Sequence, residues 1–281
     1  MSYTDLEEII QKVNGPHESS VFWNEITKNL EMYLMIGDLD LYLVNNIQPA
    51  VFTWAQDADQ NKKQLQILEK ESFFYKTLSV NDYGPRGIRL YNDIQLDRVQ
   101  HVWSIYNLVK ELELSLEDDE IIFEFGAGTG QMADVLSDLH FKGRHIVYDL
   151  PLMTVLQKHF IDKKDIKNIF ILDGNSNIIN GTNFLPCNQK CEKHILELPN
   201  INFIATYSLS ETDINTRNKF SEYMINFSRI FIVYWPGKNE VGDYIDNTEY
   251  IEMIQQKIQK THICYHRDNF GNGKVFMARK I

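Results

Sequence analysis

Residues 121–131 read Ile-Ile-Phe-Glu-Phe-Gly-Ala-Gly-Thr-Gly-Gln, an apolar run that passes directly into a glycine-rich turn. The apolar run predicts a buried strand, and the spacing of Met132, Val135 and Leu136 predicts an amphipathic helix after the turn. Three glycines at alternate positions let the backbone turn tightly and approach a ligand without intervening Cβ atoms. The start of the helix then offers free N–H groups to that ligand.

An acidic residue ends the next predicted strand along the chain. The strand at 145–148 is followed by Asp149, where a carboxylate can accept hydrogen bonds from both hydroxyls of a ribose. The strand, the turn, the helix and the acid fall in register, so together they predict a nucleoside-type ligand. The simpler alternative, a tight turn beside a solvent-facing aspartate, would not require three alternate glycines.

Short apolar strands alternate with amphipathic helices from Glu120 onward, which is typical of a parallel sheet covered by helices. We predict strands at 121–125, 145–148, 168–172, 201–207 and 229–234, and helices at about 131–141, 151–161, 213–227 and 248–260. The segment 175–198 is predicted to be irregular. Two strand-like segments, 262–267 and 273–280, are joined by turn residues, so the sheet should end in an antiparallel hairpin. The expected fold class is therefore α/β, with a Rossmann-like, mostly parallel sheet.

The N-terminal part of the chain carries no nucleotide-binding motif. Val99, Val102 and Trp103 recur at helical spacing and predict a helix that leads into the main domain. We therefore predict a helical N-terminal region at 1–115 and a nucleotide-binding domain at 116–281. The N-terminal region is rich in aromatic residues, which suit an acceptor pocket and a homodimer contact equally well. The alternative is a helical cap that only packs on the sheet.

Charge and hydropathy exclude several classes of partner. The formal net charge is −11, whereas nucleic-acid backbones are bound mainly through Lys and Arg, so we expect no nucleic-acid partner. No stretch approaches the roughly 20 apolar residues of a membrane span, and no secretory signal is evident, so we expect no membrane association and a cytoplasmic location. The three cysteines cannot form a disulfide framework.

The spacing Glu-x-Gly-x-Gly-x-Gly from Glu124 to Gly130 resembles motif I of class I S-adenosylmethionine-dependent methyltransferases. That fold has a mostly parallel sheet that ends in an antiparallel hairpin. A nicotinamide dinucleotide is the competing cofactor, but its fingerprint has a small residue where Gln131 stands. An NAD(P)-dependent oxidoreductase is therefore the alternative enzyme class. A catalytically inactive cofactor-binding subunit is a third hypothesis, because a fold alone does not establish function.

The resemblance also implies which residues contact the cofactor, S-adenosyl-L-methionine. The glycine loop would lie against its methionine part, with Glu124 helping to organise the loop, and Asp149 would hold the ribose. Asp173 matches a position that often contacts adenine, although an Asp-Gly after a strand is also an ordinary turn. The implied cofactor-binding residues are Glu124, Gly126, Ala127, Gly128, Gly130, Asp149, Leu150, Asp173 and Tyr207.

Two further segments resemble O-methyltransferases. Residues 149–151 read Asp-Leu-Pro, as in several groups of these enzymes, and residues 206–211 read Thr-Tyr-Ser-Leu-Ser-Glu. The second segment resembles the Ser-Phe/Leu-Ser/Gln-Glu segment of a sugar O-methyltransferase family. It departs from that family at Tyr207, where an asparagine is usual, and at Thr212, where a methionine is usual. The resemblance implies methyl transfer to a hydroxyl of a sugar or of a sugar-nucleotide or polysaccharide precursor.

Glu211 is the first candidate for a general base. It follows the predicted strand 201–207, and open α/β sheets bind ligands at the carboxyl ends of their strands. The alternative is that Glu211 caps or charges the N-terminus of the next helix. His194 is the second catalytic candidate, because histidine exchanges protons near neutral pH; a surface role is its alternative. Cys187, Cys191 and His194 lack an evident fourth ligand. Asp173, Glu211 and Asp213 could contribute to a divalent-metal site, but no spacing motif establishes one, so no metal site is predicted.

The expected acceptor is a small molecule with a reactive hydroxyl. Its predicted contacts combine a polar loop and short segment of the N-terminal region with the serine after strand 201–207. These candidate substrate-binding residues are Tyr83, Arg86, Arg89, Tyr91 and Ser208.

Overall fold

The structure, a computed structural model, describes residues 28–33, 58–79, 89–91, 94–117, 119–162, 164, 166–171, 177–187, 191–238, 246–268 and 273–281. The strands in these ranges are β1 (Arg89–Tyr91), β2 (Ile94–Gln95), β3 (Ile121–Phe125), β4 (Arg144–Asp149), β5 (Asn168–Phe170), β6 (Gly181–Pro186), β7 (Ile201–Thr206), β8 (Arg229–Tyr234), β9 (His262–Asp268) and β10 (Lys274–Lys280). The α-helices are α1 (Ala58–Leu68), α2 (Ser72–Tyr75), α3 (Leu96–Lys110), α4 (Gln131–Asp138), α5 (Pro151–Asp162), α6 (Glu192–Leu196), α7 (Ile214–Tyr223) and α8 (Asn247–Ile258). Residues 28–33 are also helical.

The described strands β3 to β10 form one eight-stranded sheet in the order β5-β6-β4-β3-β7-β8-β10-β9. Pairing is parallel from β5 through β8 and antiparallel from β8 through β10 to β9. The predicted α/β fold with a mostly parallel sheet and a terminal antiparallel hairpin is therefore confirmed. The predicted bounds of β3 and β8 agree with the structure residue for residue, and those of the other predicted strands agree to within two residues, except that residue 172, the end of the predicted strand 168–172, lies outside the described residues.

One strand was missed by the sequence analysis. The segment 175–198, predicted to be irregular, contains β6 and α6, and β6 lies between β5 and β4. The interior Asn183 of β6 is buried but satisfied, because its amide donates to the carbonyl oxygens of His145, Ile179 and Gly181. Burial of Asn183 therefore costs little free energy. Because β6 lies inside the sheet, β5 is its edge strand.

Alternating residues of the strands face two different layers of helices, as the two-residue repeat of a strand requires. On one face Phe123 and Phe203 pack with Phe220 of α7 in a fully buried aromatic cluster. On the other face Ile122 and Ile204 pack with α3 and α4. Since both faces are covered, the central strands are apolar along almost their whole length.

The described part of the N-terminal region packs on the second face of the sheet. Leu68 of α1 and Phe74 of α2 belong to the same core cluster as Ile122. Arg98 of α3 is buried and forms ion pairs with Asp134 and Asp138 of α4, so α3 and α4 are held together by charge as well as by apolar contact. The predicted helical region also contains the short antiparallel pair β1–β2.

No helix within the described ranges combines the length and hydropathy needed to cross a membrane.

Candidate functional site

The glycine loop after β3 adopts a left-handed backbone at each of its three glycines. The φ angles are +68° at Gly126, +56° at Gly128 and +82° at Gly130, in a region that residues with a Cβ atom rarely occupy. A Cβ atom on Gly126 would lie 2.3 Å from Cβ of Ser208, whereas one on Gly128 would meet no described atom within 4 Å. The loop is therefore closed against the protein at Gly126 and open at Gly128, where a ligand can approach the backbone.

Two hydrogen bonds attach the start of this loop to the neighbouring strands. The N–H of Gly126 donates to the carbonyl oxygen of Tyr148 in β4 at 2.8 Å. The hydroxyl of Ser208, which follows β7, donates to the carbonyl oxygen of Phe125. The loop thus bridges the carboxyl ends of three parallel strands, the edge at which open α/β sheets bind ligands.

Asp149 ends β4 beside the loop, as predicted. Its Oδ1 accepts a hydrogen bond of 2.7 Å from the N–H of Leu150, and the N–H of Ala127 also stabilises the charged form. Burial nevertheless outweighs these bonds and raises the pKa of Asp149 to about 7, with a smaller contribution from the charge of Glu124. A ligand that donates hydrogen bonds to this carboxyl group favours its charged form and therefore lowers its pKa.

Gln157 of α5 is a site residue that the sequence analysis missed. Its side chain is fully buried, and its amide nitrogen donates to the carbonyl oxygen of Gly128 at 2.9 Å and to Asp149 Oδ2 at 2.7 Å. One amide therefore joins the glycine loop to the acid of β4. The available signal was a glutamine one turn before the buried Ile161, on the apolar face of a predicted helix.

Glu124 is buried behind the glycine loop. Its Oε2 lies 3.0 Å from Nε2 of His145 in β4, and both side chains are almost completely buried. Thr182 Oγ1 in turn lies 3.5 Å from Nδ1 of the same histidine. No described group forms a hydrogen bond with Glu124 Oε1. A buried carboxylate oxygen without a partner is costly, so Oε1 can accept a hydrogen bond from a polar group of a ligand, while the expected role of Glu124 in organising the loop stays a prediction.

Tyr207 follows β7 with a left-handed backbone, φ +66°. Its ring stacks on the ring of Trp235, which follows β8, with a centroid separation of 4.4 Å and an interplanar angle of 21°. Both side chains are partly exposed. The pair therefore lies at the same carboxyl edge as the glycine loop, on the side away from β4.

Glu211 lies in the single helical turn Ser208–Glu211 and is only 2% exposed. The buried guanidinium of Arg217 donates to the backbone carbonyl oxygens on either side of it, those of Ser210 and Thr212. The N-cap of α7 is Asp213, whose carboxylate accepts from the backbone N–H groups at 215 and 216. The capping role considered for Glu211 thus belongs to Asp213, while catalysis by Glu211 stays a prediction.

The remaining candidates have separate outcomes. His194 is exposed on α6, and its catalytic role stays a prediction. Burial raises the pKa of Cys187 to about 12, which disfavours the thiolate that binds metals. No group of three or more metal-ligating side chains occurs among the described residues. Arg89 and Tyr91 lie in β1, whereas Tyr83, Arg86 and Asp173 lie outside the described residues.

This chain is similar to solved structures but matches no known sequence family. No family model matches the chain, and no curated protein matches its sequence. A SAM-dependent methyltransferase from Aquifex aeolicus is 14% identical, with 63% of this chain and 89% of that chain covered and a TM-score of 0.41. A methyltransferase from Pyrococcus furiosus is 12% identical, with 78% and 98% covered and a TM-score of 0.43. Human N-acetylserotonin methyltransferase in complex with SAM is 12% identical, with 66% and 54% covered and a TM-score of 0.40. At such low TM-scores the likeness decides nothing about activity, and the fold assignment rests on the strand order.

Proposed function

We propose that this protein is an S-adenosylmethionine-dependent methyltransferase that methylates a hydroxyl group of a sugar. The observation that carries the proposal is the link between Gly128 and Asp149. An open glycine turn and a ribose-type acid are joined by one buried amide at the carboxyl edge of the sheet. Such an arrangement suits a nucleoside whose ribose sits at the acid and whose remaining part crosses the glycine loop.

The sheet and the helix start favour S-adenosylmethionine over a nicotinamide dinucleotide. The antiparallel β10 and β9 complete the sheet beyond β8, in agreement with the methyltransferase resemblance. The dinucleotide fingerprint has a small residue where this chain has Gln131, which is also the first residue of α4. A small residue at that position allows the helix to pack closely on the strand, and glutamine does not provide this.

The residues of the site have distinct parts in the proposed reaction. Asp149 accepts hydrogen bonds from the ribose hydroxyls, and the glycine loop admits the methionine part of the cofactor. When bound, the cofactor supplies an electrophilic methyl group on sulfur. The protein then aligns a hydroxyl with it, excludes water and removes a proton. Glu211 is the proposed proton acceptor, because it lies in the segment after β7 that contacts the glycine loop through Ser208.

The sugar acceptor is supported by the Ser-Leu-Ser-Glu segment at 208–211, which forms one ordered turn at the ligand edge. The hydroxyls of Ser208 and Ser210 already donate to the carbonyl oxygens of Phe125 and Tyr207. The direct contact proposed for the acceptor is therefore with Glu211, and the substrate contact expected for Ser208 stays a prediction. The aromatic rings at Tyr207 and Trp235 lie beside this turn.

Calorimetric titration with S-adenosylmethionine, S-adenosylhomocysteine and NAD tests the cofactor. We expect the first two to bind and NAD not to bind; binding of NAD alone would indicate an oxidoreductase. Transfer of a labelled methyl group to a panel of saccharides, catechols and amines then tests the acceptor. Cofactor binding without transfer to any acceptor would indicate an inactive cofactor-binding subunit.

A further inference from the structure

The stacked rings of Tyr207 and Trp235 stand at a defined place on the ligand edge. They follow β7 and β8, which are adjacent parallel strands. The acid at the end of β4 lies three strands from β8 in the sheet order, or about 14 Å away along the edge at the usual strand spacing. The glycine loop after β3 lies between them. The pair is thus across the glycine loop from Asp149.

Tyr207 has a strained, left-handed backbone conformation in this position. A non-glycine residue with φ +66° is unfavourable and persists only where the surrounding structure enforces it, often at functional sites. Gly273, which precedes β10, completes the arrangement, because a Cβ atom there would lie 2.6 Å from the Tyr207 hydroxyl oxygen. The orientation of the tyrosine ring is therefore fixed from both its own backbone and its neighbour.

A buried polar network connects the segments that carry the two rings. Arg217 donates to the carbonyl oxygen of Ser210 at 2.5 Å and to Asn247 Oδ1 at 2.7 Å. The amide of Asn247 donates in turn to the carbonyl oxygen of Trp235 at 2.9 Å. Since Arg217 and Asn247 are each 1% exposed, these bonds are shielded from water. The segments after β7 and β8 are thus held in one arrangement before any ligand arrives.

We infer that the Tyr207–Trp235 pair is the acceptor platform, in which Tyr207 supports Trp235 from one side and the other face of the Trp235 ring binds the C–H face of a pyranose ring. Tyr207, which the resemblance assigns to the cofactor, is here assigned to the acceptor instead. This inference rests on the proposed function and specifies its acceptor subsite. An aromatic face carries negative charge density and attracts the weakly positive C–H groups of a flat, apolar surface. One face of a pyranose presents such C–H groups, while its rim carries hydroxyls.

Saturation-transfer NMR with methyl β-D-glucopyranoside tests the platform directly, with S-adenosylhomocysteine present. In the wild-type protein the axial protons of one ring face should receive more saturation than those of the other face. Trp235→Ala should weaken the apparent affinity roughly two- to tenfold, and Trp235→Phe should restore most of it. Tyr265→Ala is the matched control, because Tyr265 is an exposed aromatic residue on the edge strand β9 and its removal should change nothing.

Each other result overturns the inference. Equal saturation of both faces, or an unchanged affinity in Trp235→Ala, would show that the rings do not bind the sugar. Binding of catechol, with loss in Trp235→Ala and no binding of the glucoside, would show that the platform takes aromatic acceptors. Calorimetry with S-adenosylhomocysteine on the same samples keeps the two hypotheses apart. If the wild-type protein does not bind S-adenosylhomocysteine, the proposed function fails. If it binds S-adenosylhomocysteine but the sugar results contradict the inference, only the platform is wrong.

Discussion

The side-chain amide nitrogen of Gln157 donates a hydrogen bond of 2.7 Å to Asp149 Oδ2. The same nitrogen donates to the carbonyl oxygen of Gly128 at 2.9 Å. A single buried group therefore sets the distance between the glycine loop and the acid at the end of β4. Any ligand that spans these two features finds them already in place, which reduces the entropy lost on binding.

Asp149→Ala should weaken the binding of S-adenosylhomocysteine by about 1.5–3 kcal/mol, the contribution of hydrogen bonds to a charged group. The ribose hydroxyls lose their acceptor, and Gln157 loses one of its two partners. Calorimetric titration measures the change. An affinity equal to that of the wild-type protein would mean that the ribose does not lie at Asp149.

The affinity for S-adenosylhomocysteine should rise with pH through the pKa of Asp149, about 7 in the unliganded protein. Below this pKa the carboxyl group must lose its proton before it can accept both hydrogen bonds, so the affinity should fall up to about tenfold per pH unit. Titrations one unit below and one unit above the pKa measure this effect. Asp149→Asn should bind more weakly and show no such dependence; the same slope in this variant would assign the titration to another group.

The same group makes a defined contribution to folding. Its folded pKa is raised above the ordinary value of 3.8, so the folded chain binds more protons than the unfolded chain between these two values. The contribution of Asp149 to the free energy of unfolding is therefore fully present below about 4 and is lost as the pH rises to about 7. Glu124 and the buried Cys187 and Tyr148 lie close enough to Asp149 to interact electrostatically with it, which is why the Asn variant is the necessary reference.

Gln157→Leu should weaken S-adenosylhomocysteine binding by about 1–2 kcal/mol and move the midpoint of its pH dependence upward. The hydrogen bond from Gln157 lowers the pKa of Asp149, so its removal raises that pKa further. Gln157→Glu keeps the length of the side chain but places a second carboxyl group beside Asp149, and should raise the midpoint as well. A variant that is less stable but has an unshifted midpoint would show that Gln157 only fills space.

Gly128→Val should abolish cofactor binding while the protein stays folded. The new side chain would occupy the open side of the loop, and its left-handed backbone should cost about 1–3 kcal/mol of stability. Gly237→Val is a matched control, because Gly237 also has a positive φ, +79°, and an open Cβ position. Thermal unfolding should show similar losses in both variants, and calorimetry should show loss of S-adenosylhomocysteine binding only at Gly128. Unchanged affinity in Gly128→Val would place the cofactor elsewhere.

Glu211→Gln should lower the single-turnover rate roughly 10²–10⁴-fold, because glutamine keeps the shape of the side chain but cannot take the proton. The affinity for S-adenosylhomocysteine should hardly change, since Glu211 is assigned to the acceptor. The rate is measured with saturating cofactor and the acceptor found in the transfer screen. Asp213→Ala separates catalysis from capping: it should cost about 0.5–2 kcal/mol of stability and leave the rate unchanged. An unchanged rate in Glu211→Gln would leave His194 as the next candidate.

The sequence predicted those elements whose local pattern agrees with their place in the sheet. The bounds of β3 are confirmed because its apolar run is buried on both faces and ends at a glycine turn. β6 was missed because Gly181–Pro186 begins with glycine, ends with proline and contains Asn183, all of which favour a loop. Burial of Asn183 becomes acceptable only through carbonyl groups of other residues, and these contacts are not visible in a local pattern.

The site was predictable to a similar degree. Glycines and a strand-terminal acid form a spaced pattern, so the loop and Asp149 could be found. The function of Gln157 depends instead on where α5 crosses the loop, and the partner of Glu124 is a histidine in a different strand. The stacking of Tyr207 on Trp235 likewise requires the adjacency of β7 and β8. Such relationships arise only once the sheet order is known.

The contact between the glycine loop and Ser208 also bears on the order of folding and cofactor binding. The hydrogen bond from Ser208 to Phe125 joins residues 83 positions apart, and contacts between such distant residues are slow to form in folding. During synthesis the glycine turn leaves the ribosome well before β7 does, so β3 and α4 emerge before the turn can contact Ser208. A cofactor that binds the loop only after this contact has formed stabilises the whole sheet by mass action. It therefore binds at the end of folding rather than at the beginning.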